Sequence, residues 1–142
     1  MKAITLIQPW ASLIMLQEKT IETRSWSTSF RGRIAIHAGK KIDKKVFEIP
    51  YYREVLSNYG ITASNIIKSA IICTCDIVDV RKSEDVRDHI SAKELAFGNY
   101  ENNRFCWMLE NINKIDPVLN VKGMLGLWNY KPVTYTEGTR DK

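Results

Sequence analysis

Hydrophobic and polar residues alternate along several short segments of the chain, which is the pattern of half-buried β-strands. Six such segments are predicted, at residues 2–7, 20–26, 33–38, 68–80, 105–115 and 125–133. Helices are predicted at residues 10–16, at 44–59 with a break at Pro50, and from 83 to about 97. Because helices and strands do not alternate regularly, we expect an α+β domain rather than a doubly wound parallel sheet. A small β-barrel of about six mixed or antiparallel strands, with two or three flanking helices, would leave no long edge exposed.

Capping residues mark where the predicted helices begin and end. Pro9 stands at the start of the first helix, where proline is tolerated, and Gly60 closes the second. Ser83 is followed by two acidic residues, so we predict that it caps the third helix. That helix is expected to run unbroken until Gly98.

The length and composition fit one domain. The chain has 142 residues, 44% of them hydrophobic and 26% charged, as in ordinary globular proteins. We predict that residues 1–135 form the domain and that 136–142 are a polar tail. Because Gln8 and Pro9 interrupt the apolar N-terminus and no other long apolar run occurs, we expect neither a signal peptide nor a membrane span. We therefore predict a cytoplasmic protein that does not contact a membrane.

The three cysteines are expected to be buried thiols. Their odd number excludes a complete disulfide framework. Cys73 and Cys75 share one face of a predicted apolar strand, which is typical of core packing. A zinc site needs about four ligands, and both histidines are distant in sequence. We therefore predict no bound metal and no cofactor.

Positive charge is concentrated in one part of the chain. The net charge is +5, yet residues 19–45 alone contain eight basic and two acidic side chains. The basic ones are Lys19, Arg24, Arg31, Arg33, Lys40, Lys41, Lys44 and Lys45. A local positive field favours an anionic partner such as nucleic acid or a nucleotide, although a solvated lysine-rich face would have the same composition.

One predicted strand carries an unusual set of side chains on a single face. Side chains two residues apart share a face, so Glu22, Arg24 and Trp26 are expected together with Thr20, and Thr23 on the opposite face. A solvent-facing strand with a weak ion pair would explain the charges. It would not explain Trp26, because an aromatic ring on a polar face needs cover or a ligand to stack on.

The sequence resembles the ASCH domain family of the PUA-like superfamily over most of its length. The similarity lies in QPWASLI at 8–14, KTIETRSW at 19–26, RG at 31–32, IHA at 36–38, ELAFG at 94–98, WMLEN at 107–111 and GMLGLW at 123–128. The family motif is Gly-x-Lys-x-x-Glu-x-Arg. This chain departs from it by having Gln17 and Glu18 where the family usually places a glycine before the lysine.

The resemblance implies a PUA-like fold and a cleft, lined by the motif, that binds RNA or a nucleotide. Arg24 can grip a phosphate or a base edge, Lys19 supplies a compact positive charge, and Glu22 can accept from an exocyclic amine. Trp10 and Trp26 could offer stacking faces for unpaired bases. The predicted ligand-binding residues are Gln8, Trp10, Lys19, Glu22, Arg24, Trp26, Arg31, His37 and Lys40. The predicted partner is single-stranded RNA or a modified nucleoside or nucleotide.

Not every aromatic residue in these segments needs a ligand. Trp10 begins an apolar helix and fits the core better than a stacking platform. Trp107 and Trp128 lie in the closing strands, and we assign both to the core.

The resemblance also raises the question of catalysis. Some small bacterial ASCH-like proteins remove the acetyl group of N4-acetylcytidine with a lysine, a threonine and a glutamate. Lys19 and Glu94 match the first and last of these, but Glu22 stands at the position of the threonine. If the chain is an enzyme, we predict Lys19, Glu22 and Glu94 as catalytic residues that activate water. A nuclease would need His37 as acid or base, although a lone histidine in such a strand is typically a structural hydrogen-bonding group.

Overall fold

The structure is a computed structural model, and it describes residues 1–131. The strands are β1 (Lys2–Gln8), β2 (Ile21–Arg24), β3 (Gly32–Ile42), β4 (Ala70–Lys82), β5 (Phe105–Asn120) and β6 (Leu127–Asn129). The helices are α1 (Trp10–Met15), α2 (Pro50–Ser57), α3 (Ser83–Val86) and α4 (Ala92–Ala96), with 3-10 turns at Val46–Glu48 and Arg87–His89. The predicted domain end at residue 135, the tail at 136–142 and the end of the last predicted strand lie outside the described residues.

All six strands form one mixed sheet in the order β2-β5-β4-β3-β1-β6. Strand β1 runs parallel to β3, and every other neighbouring pair is antiparallel. The predicted α+β class, with six strands and flanking helices, is confirmed. Within residues 1–131 the sheet is open, because β2 and β6 form its two edges rather than pairing with each other.

The core lies against the central strands β4, β3 and β1, whose apolar runs are buried. Trp107, Cys73 and Cys75 are all inaccessible to solvent, and Trp128 is 8% exposed. The core assignments of these four residues are therefore confirmed. Burial raises the pKa of the Cys75 thiol to about 12 and that of Cys73 further, so both stay protonated at neutral pH.

The predicted single helix from Ser83 to Gly98 is wrong. The chain becomes extended at Ile90 and Ser91, and this separates α3 from α4. Ser91 is the N-cap of α4, because its hydroxyl accepts a hydrogen bond of 3.1 Å from the Glu94 backbone N–H. The sequence Ser-x-x-Glu at 91–94 carried this signal. The break orients α4 so that Glu94 faces the start of β2.

No helix within residues 1–131 combines the length and the apolar character needed to cross a membrane.

Candidate ligand-binding site

A cavity of about 500 Å³ opens beside β2. Its walls come from the end of β1, α1, residues 19–26, α2 and the loop between α4 and β5. Five of the predicted site residues line it: Trp10, Lys19, Glu22, Arg24 and Trp26. We call it the Lys19 cavity. Its volume is in the range of small-molecule sites.

The end of α1 fixes the backbone at Lys19. Gln17 has a left-handed backbone with φ 60°, at the position where the ASCH motif places a glycine. The N–H groups of Glu18 and Lys19 then donate to the carbonyl of Leu13 at 3.0 and 3.1 Å. Glu18 also forms an ion pair with Lys93 of α4. The turn therefore keeps the geometry of a glycine turn although a glutamine occupies it.

Lys19 lines the cavity and is only 1% exposed. It donates a hydrogen bond to the carbonyl of Ile21. Burial lowers the pKa of the Lys19 amine, and the negative charges of Glu22 and Glu94 oppose that effect. The amine is thus closer to its neutral form than a lysine in water.

Glu94 fastens α4 to the start of β2. One of its carboxylate oxygens accepts from the Thr20 backbone N–H at 2.9 Å and from the Thr20 hydroxyl at 3.1 Å. The other accepts from the Ile21 backbone N–H at 3.2 Å. Glu94 does not line the Lys19 cavity, and these three hydrogen bonds connect it to the backbone and side chain of neighbouring residues in the fold. It positions the strand that carries Lys19 and Glu22.

Glu22, Arg24 and Trp26 form one wall of the cavity, as strand alternation predicted. Arg24 Nη1 lies 3.3 Å from Glu22 Oε2, and the guanidinium is 5.4 Å from the centre of the Trp26 ring. Trp26 in turn packs edge-to-face on Trp107, with ring centres 4.9 Å apart. Trp107 thus supplies the cover that an aromatic ring on a polar face needs.

Thr23, predicted on the opposite strand face from Glu22 and Arg24, also contributes to the lining of the cavity. The loop after α4 lies against it. The Asn99 N–H donates to the Thr23 hydroxyl at 3.1 Å, and Arg104 donates to the carbonyls of Thr23 and Asn99, also at 3.1 Å.

Asn99 and Arg104 line the cavity too, and sequence reasoning missed both. The local sequence shows only that a loop follows Gly98. The pairing of β2 with β5, which brings that loop to the site, involves residues about 80 positions apart.

Two of the predicted residues outside the cavity, Gln8 and Arg31, form hydrogen bonds within the fold. Gln8 is fully buried; its amide donates to the Ser12 hydroxyl at 2.9 Å and to the Ile67 carbonyl at 2.8 Å. Arg31 is exposed and donates to the carbonyls of Thr28 and Phe30 at 3.0 Å. Gln8 therefore serves the packing of α1, and Arg31 serves its own loop.

His37 and Lys40 line a separate cavity. His37 is 1% exposed, with Nδ1 at 3.2 Å from the Thr5 hydroxyl and Nε2 at 2.6 Å from the Val121 carbonyl. Both ring nitrogens are thus bonded within the fold, which matches the structural interpretation of this histidine. The structure does not bring His37 to the Lys19 cavity, where a nuclease would need it.

Within the part of the chain that the structure describes, no three His, Cys, Asp or Glu residues lie close enough together to hold a metal ion.

The fold and the Lys19 cavity define a small α+β domain with an open cavity lined by an amine, a carboxylate–guanidinium pair and aromatic rings. The ASCH domain family model matches residues 4–119, and the chain belongs to that family. The predicted resemblance is confirmed.

Similar proteins agree with this assignment. The human protein named activating signal cointegrator 1 is 25% identical over 128 residues, which cover 88% of this chain and 21% of that protein. The chain therefore spans about a fifth of the length of this relative. The ASCH crystal structure from Zymomonas mobilis has a TM-score of 0.49 at 14% identity and covers 84% of this chain and 72% of its own. A single-substitution variant of it gives 0.50, again at 14% identity, with 84% and 74% covered. At 14% identity, the likeness to this variant, whose TM-score is 0.50, shows the fold alone.

Proposed function

We propose that the Lys19 cavity binds a base of single-stranded RNA, or of a modified nucleoside or nucleotide. The observation that carries the proposal is the wall of Glu22, Arg24 and Trp26 inside a cavity of about 500 Å³. It combines an anion-binding group, a hydrogen-bond acceptor and an aromatic face, which are the three elements that recognise an unpaired nucleotide. ASCH domains are related to RNA-binding PUA-like domains, which agrees with this proposal.

The polar groups of the wall have bonding capacity left for a ligand. Arg24 uses one nitrogen on Glu22 and has five N–H donors in all, so it can also bind a phosphate or a carbonyl of a base. Glu22 can accept from an exocyclic amine with its second oxygen. The Trp26 ring is only partly buried, and a base would stack on the part that Arg24 and Trp107 leave uncovered.

The test is a binding screen of short single-stranded RNAs and of natural and modified nucleosides. We expect the Arg24→Gln variant to bind the preferred ligand at least about tenfold more weakly than wild type, because a two-point contact is lost. Arg31→Gln is the matched control, since Arg31 is an exposed arginine outside the cavity. Equal losses in the two variants, or no binding by the wild type, would reject the proposal.

Salt dependence separates the two ligand types. Affinity for RNA should fall steeply with salt, because each phosphate contacted by a basic side chain releases bound counterions, and added salt opposes that release. Affinity for a free nucleoside should hardly change.

A second candidate function is hydrolysis of an acylated nucleoside such as N4-acetylcytidine. Its support is the lowered pKa of the buried Lys19 amine, which lies beside Glu22 and could take a proton from water. The hydroxide would add to the acyl carbon, and that proton would pass to the departing nitrogen. Glu94 would contribute by holding Thr20 and Ile21 in place.

Product analysis with N4-acetylcytidine tests this second candidate. We expect Lys19→Ala to abolish release of cytidine and acetate, and Glu22→Gln to reduce it strongly. Release that persists unchanged in the Lys19→Ala variant would rule out the mechanism.

A further inference from the structure

Strand β2 is an edge strand of the sheet, and side chains bond the backbone groups on its open side. The carbonyl of Thr20, just before β2, faces inward, because it accepts from a backbone N–H of β5 at 3.0 Å. Carbonyls alternate in direction along a strand, so those of Ile21 and Thr23 face outward. Lys19 donates to the Ile21 carbonyl, and Arg104 donates to the Thr23 carbonyl. Two cationic side chains therefore cover the open edge of β2.

These two cationic side chains lie close together in the Lys19 cavity. Carbonyls two residues apart on one edge of a strand are separated by about 7 Å. Lys19 and Arg104, which are bonded to such carbonyls, both line the cavity. Gly98 lines it as well, and a Cβ there would lie 3.4 Å from Lys19 Nζ. The positive potentials of Lys19 and Arg104 therefore add along this side of the cavity.

Arg104 is held in one orientation and has no carboxylate to balance its charge. Its Nε donates to the Asn99 carbonyl and its Nη2 to the Thr23 carbonyl, both at 3.1 Å. These bonds use two of its five N–H donors. Within residues 1–131 no carboxylate forms an ion pair with Arg104, whereas Arg24 is paired with Glu22. A fixed guanidinium with unbalanced charge suits a phosphate group, whose oxygens can accept two parallel hydrogen bonds from it.

We propose that Arg104 binds a phosphate group of the ligand whose base lies against Glu22 and Trp26, so that the ligand class is a nucleotide rather than a nucleoside. This proposal rests on the proposed function of the Lys19 cavity. The Arg104 guanidinium donates to the phosphate oxygens, and the neighbouring Lys19 adds positive charge. Arg24 is then left for the edge of the base. A free nucleotide and an RNA chain would both supply the phosphate, and the choice of probes separates these two sources.

The probes are the four ribonucleosides, their 5′-monophosphates and the four dinucleoside monophosphates of identical bases, titrated calorimetrically into the wild-type protein. For the preferred base, we expect a probe with a phosphate to bind at least about tenfold more tightly than the nucleoside. A gain for the 5′-monophosphate alone assigns the site to a terminal phosphate, and a gain that extends to the dinucleoside monophosphate assigns it to an RNA chain. Equal affinities for all three probes would overturn the proposal and leave the base site standing. If the wild type binds no probe, the base site fails and this proposal with it.

Arg104→Gln should weaken the phosphate-bearing probe at least about tenfold and leave the nucleoside within about twofold, because glutamine offers the phosphate no positive charge. If Arg104 only held its loop in place, the variant would lose affinity for both probes equally, and that result would overturn the proposal.

Arg87→Gln is the matched control. Arg87 bonds the same loop, donating to the Tyr100 carbonyl at 3.0 Å and to Asn102 Oδ1 at 2.7 Å, but it does not line the Lys19 cavity. We expect Arg87→Gln to bind the phosphate-bearing probe within about twofold of wild type. A loss as large as that of Arg104→Gln would assign the effect to the loop and would also overturn the proposal.

Discussion

Two carboxylates flank the buried amine of Lys19, and they belong to regions with different tasks. At the contact between α4 and the start of β2, which we call the seam, Glu94 accepts three hydrogen bonds from Thr20 and Ile21. On the open wall, the Glu22 carboxylate accepts one side-chain hydrogen bond within residues 1–131, from the partly exposed Arg24. Their exposures are nearly equal, 9% and 8%, so burial does not distinguish them. Their hydrogen bonds distinguish them. A carboxylate that accepts two backbone N–H groups and a hydroxyl stabilises the fold, whereas one paired with a partly exposed guanidinium can bind a ligand.

The largest effect should come from Glu94. Glu94→Ala is expected to lower the free energy of unfolding by about 3 kcal/mol, because two backbone N–H groups lose a charged acceptor. Glu22→Ala should cost less than about 1 kcal/mol, since it removes only a partly exposed ion pair. Urea unfolding of both variants gives the comparison. Similar losses of unfolding free energy in the two variants would show that Glu22 stabilises the fold as much as Glu94 does, which would contradict the difference between the wall and the seam.

Lys19 should make stability depend on pH. The Lys19 pKa is lowered by burial from its ordinary value of 10.5, so between the lowered value and 10.5 the unfolded chain binds more protons than the folded one. Wild-type stability relative to Lys19→Met should therefore rise with pH through this window. At pH 7 we expect Lys19→Met to be more stable than wild type by about 1 kcal/mol, because the cost of burying a charge disappears. A stability difference that stays flat from pH 7 to 10.5 would contradict the lowered pKa.

Gln17 offers a smaller effect of predictable sign. Its left-handed backbone costs a side-chain-bearing residue about 1–2 kcal/mol, part of which glycine recovers despite its greater freedom in the unfolded chain. Gln17→Gly should therefore raise the free energy of unfolding by about 0.5–1 kcal/mol. Gln17→Ala keeps the Cβ and should give no such gain, which makes it the control in thermal unfolding.

Strand alternation and short-range signals predicted most of the fold. They gave the class, the number of strands and the shared face of Glu22, Arg24 and Trp26. They failed to show which distant loop contacts a strand, as at β2, where the Asn99 N–H donates to the Thr23 hydroxyl. They also failed at Ser91, where a local cap overrode an otherwise continuous helical pattern.

Which residues line the cavity was harder to predict than the fold. His37 and Lys40 follow the motif closely in sequence, but β3 carries them past Thr5 into the other cavity. Arg104 is far from the motif in sequence and reaches it only because β5 pairs with β2. Proximity in sequence therefore identified the wall carried by β2 itself. It could not identify contributions that depend on long-range pairing.

The smallest expected effect on stability comes from the Glu22–Arg24 ion pair, and it tests most directly whether Glu22 and Glu94 have different roles. The Arg24 side chain is 25% exposed and Glu22 11%, so a double-mutant cycle with Glu22→Gln and Arg24→Gln should give a coupling below about 1 kcal/mol in unfolding free energy. In ligand affinity the same cycle should give a clear coupling, because the pair is proposed to act on one ligand as a unit. Strong coupling in stability together with none in binding would move Glu22 and Arg24 into the same structural role as Glu94. Weak coupling in stability with strong coupling in binding would mean that the wall is held by Trp107 and the sheet, and that its charges are left for the ligand.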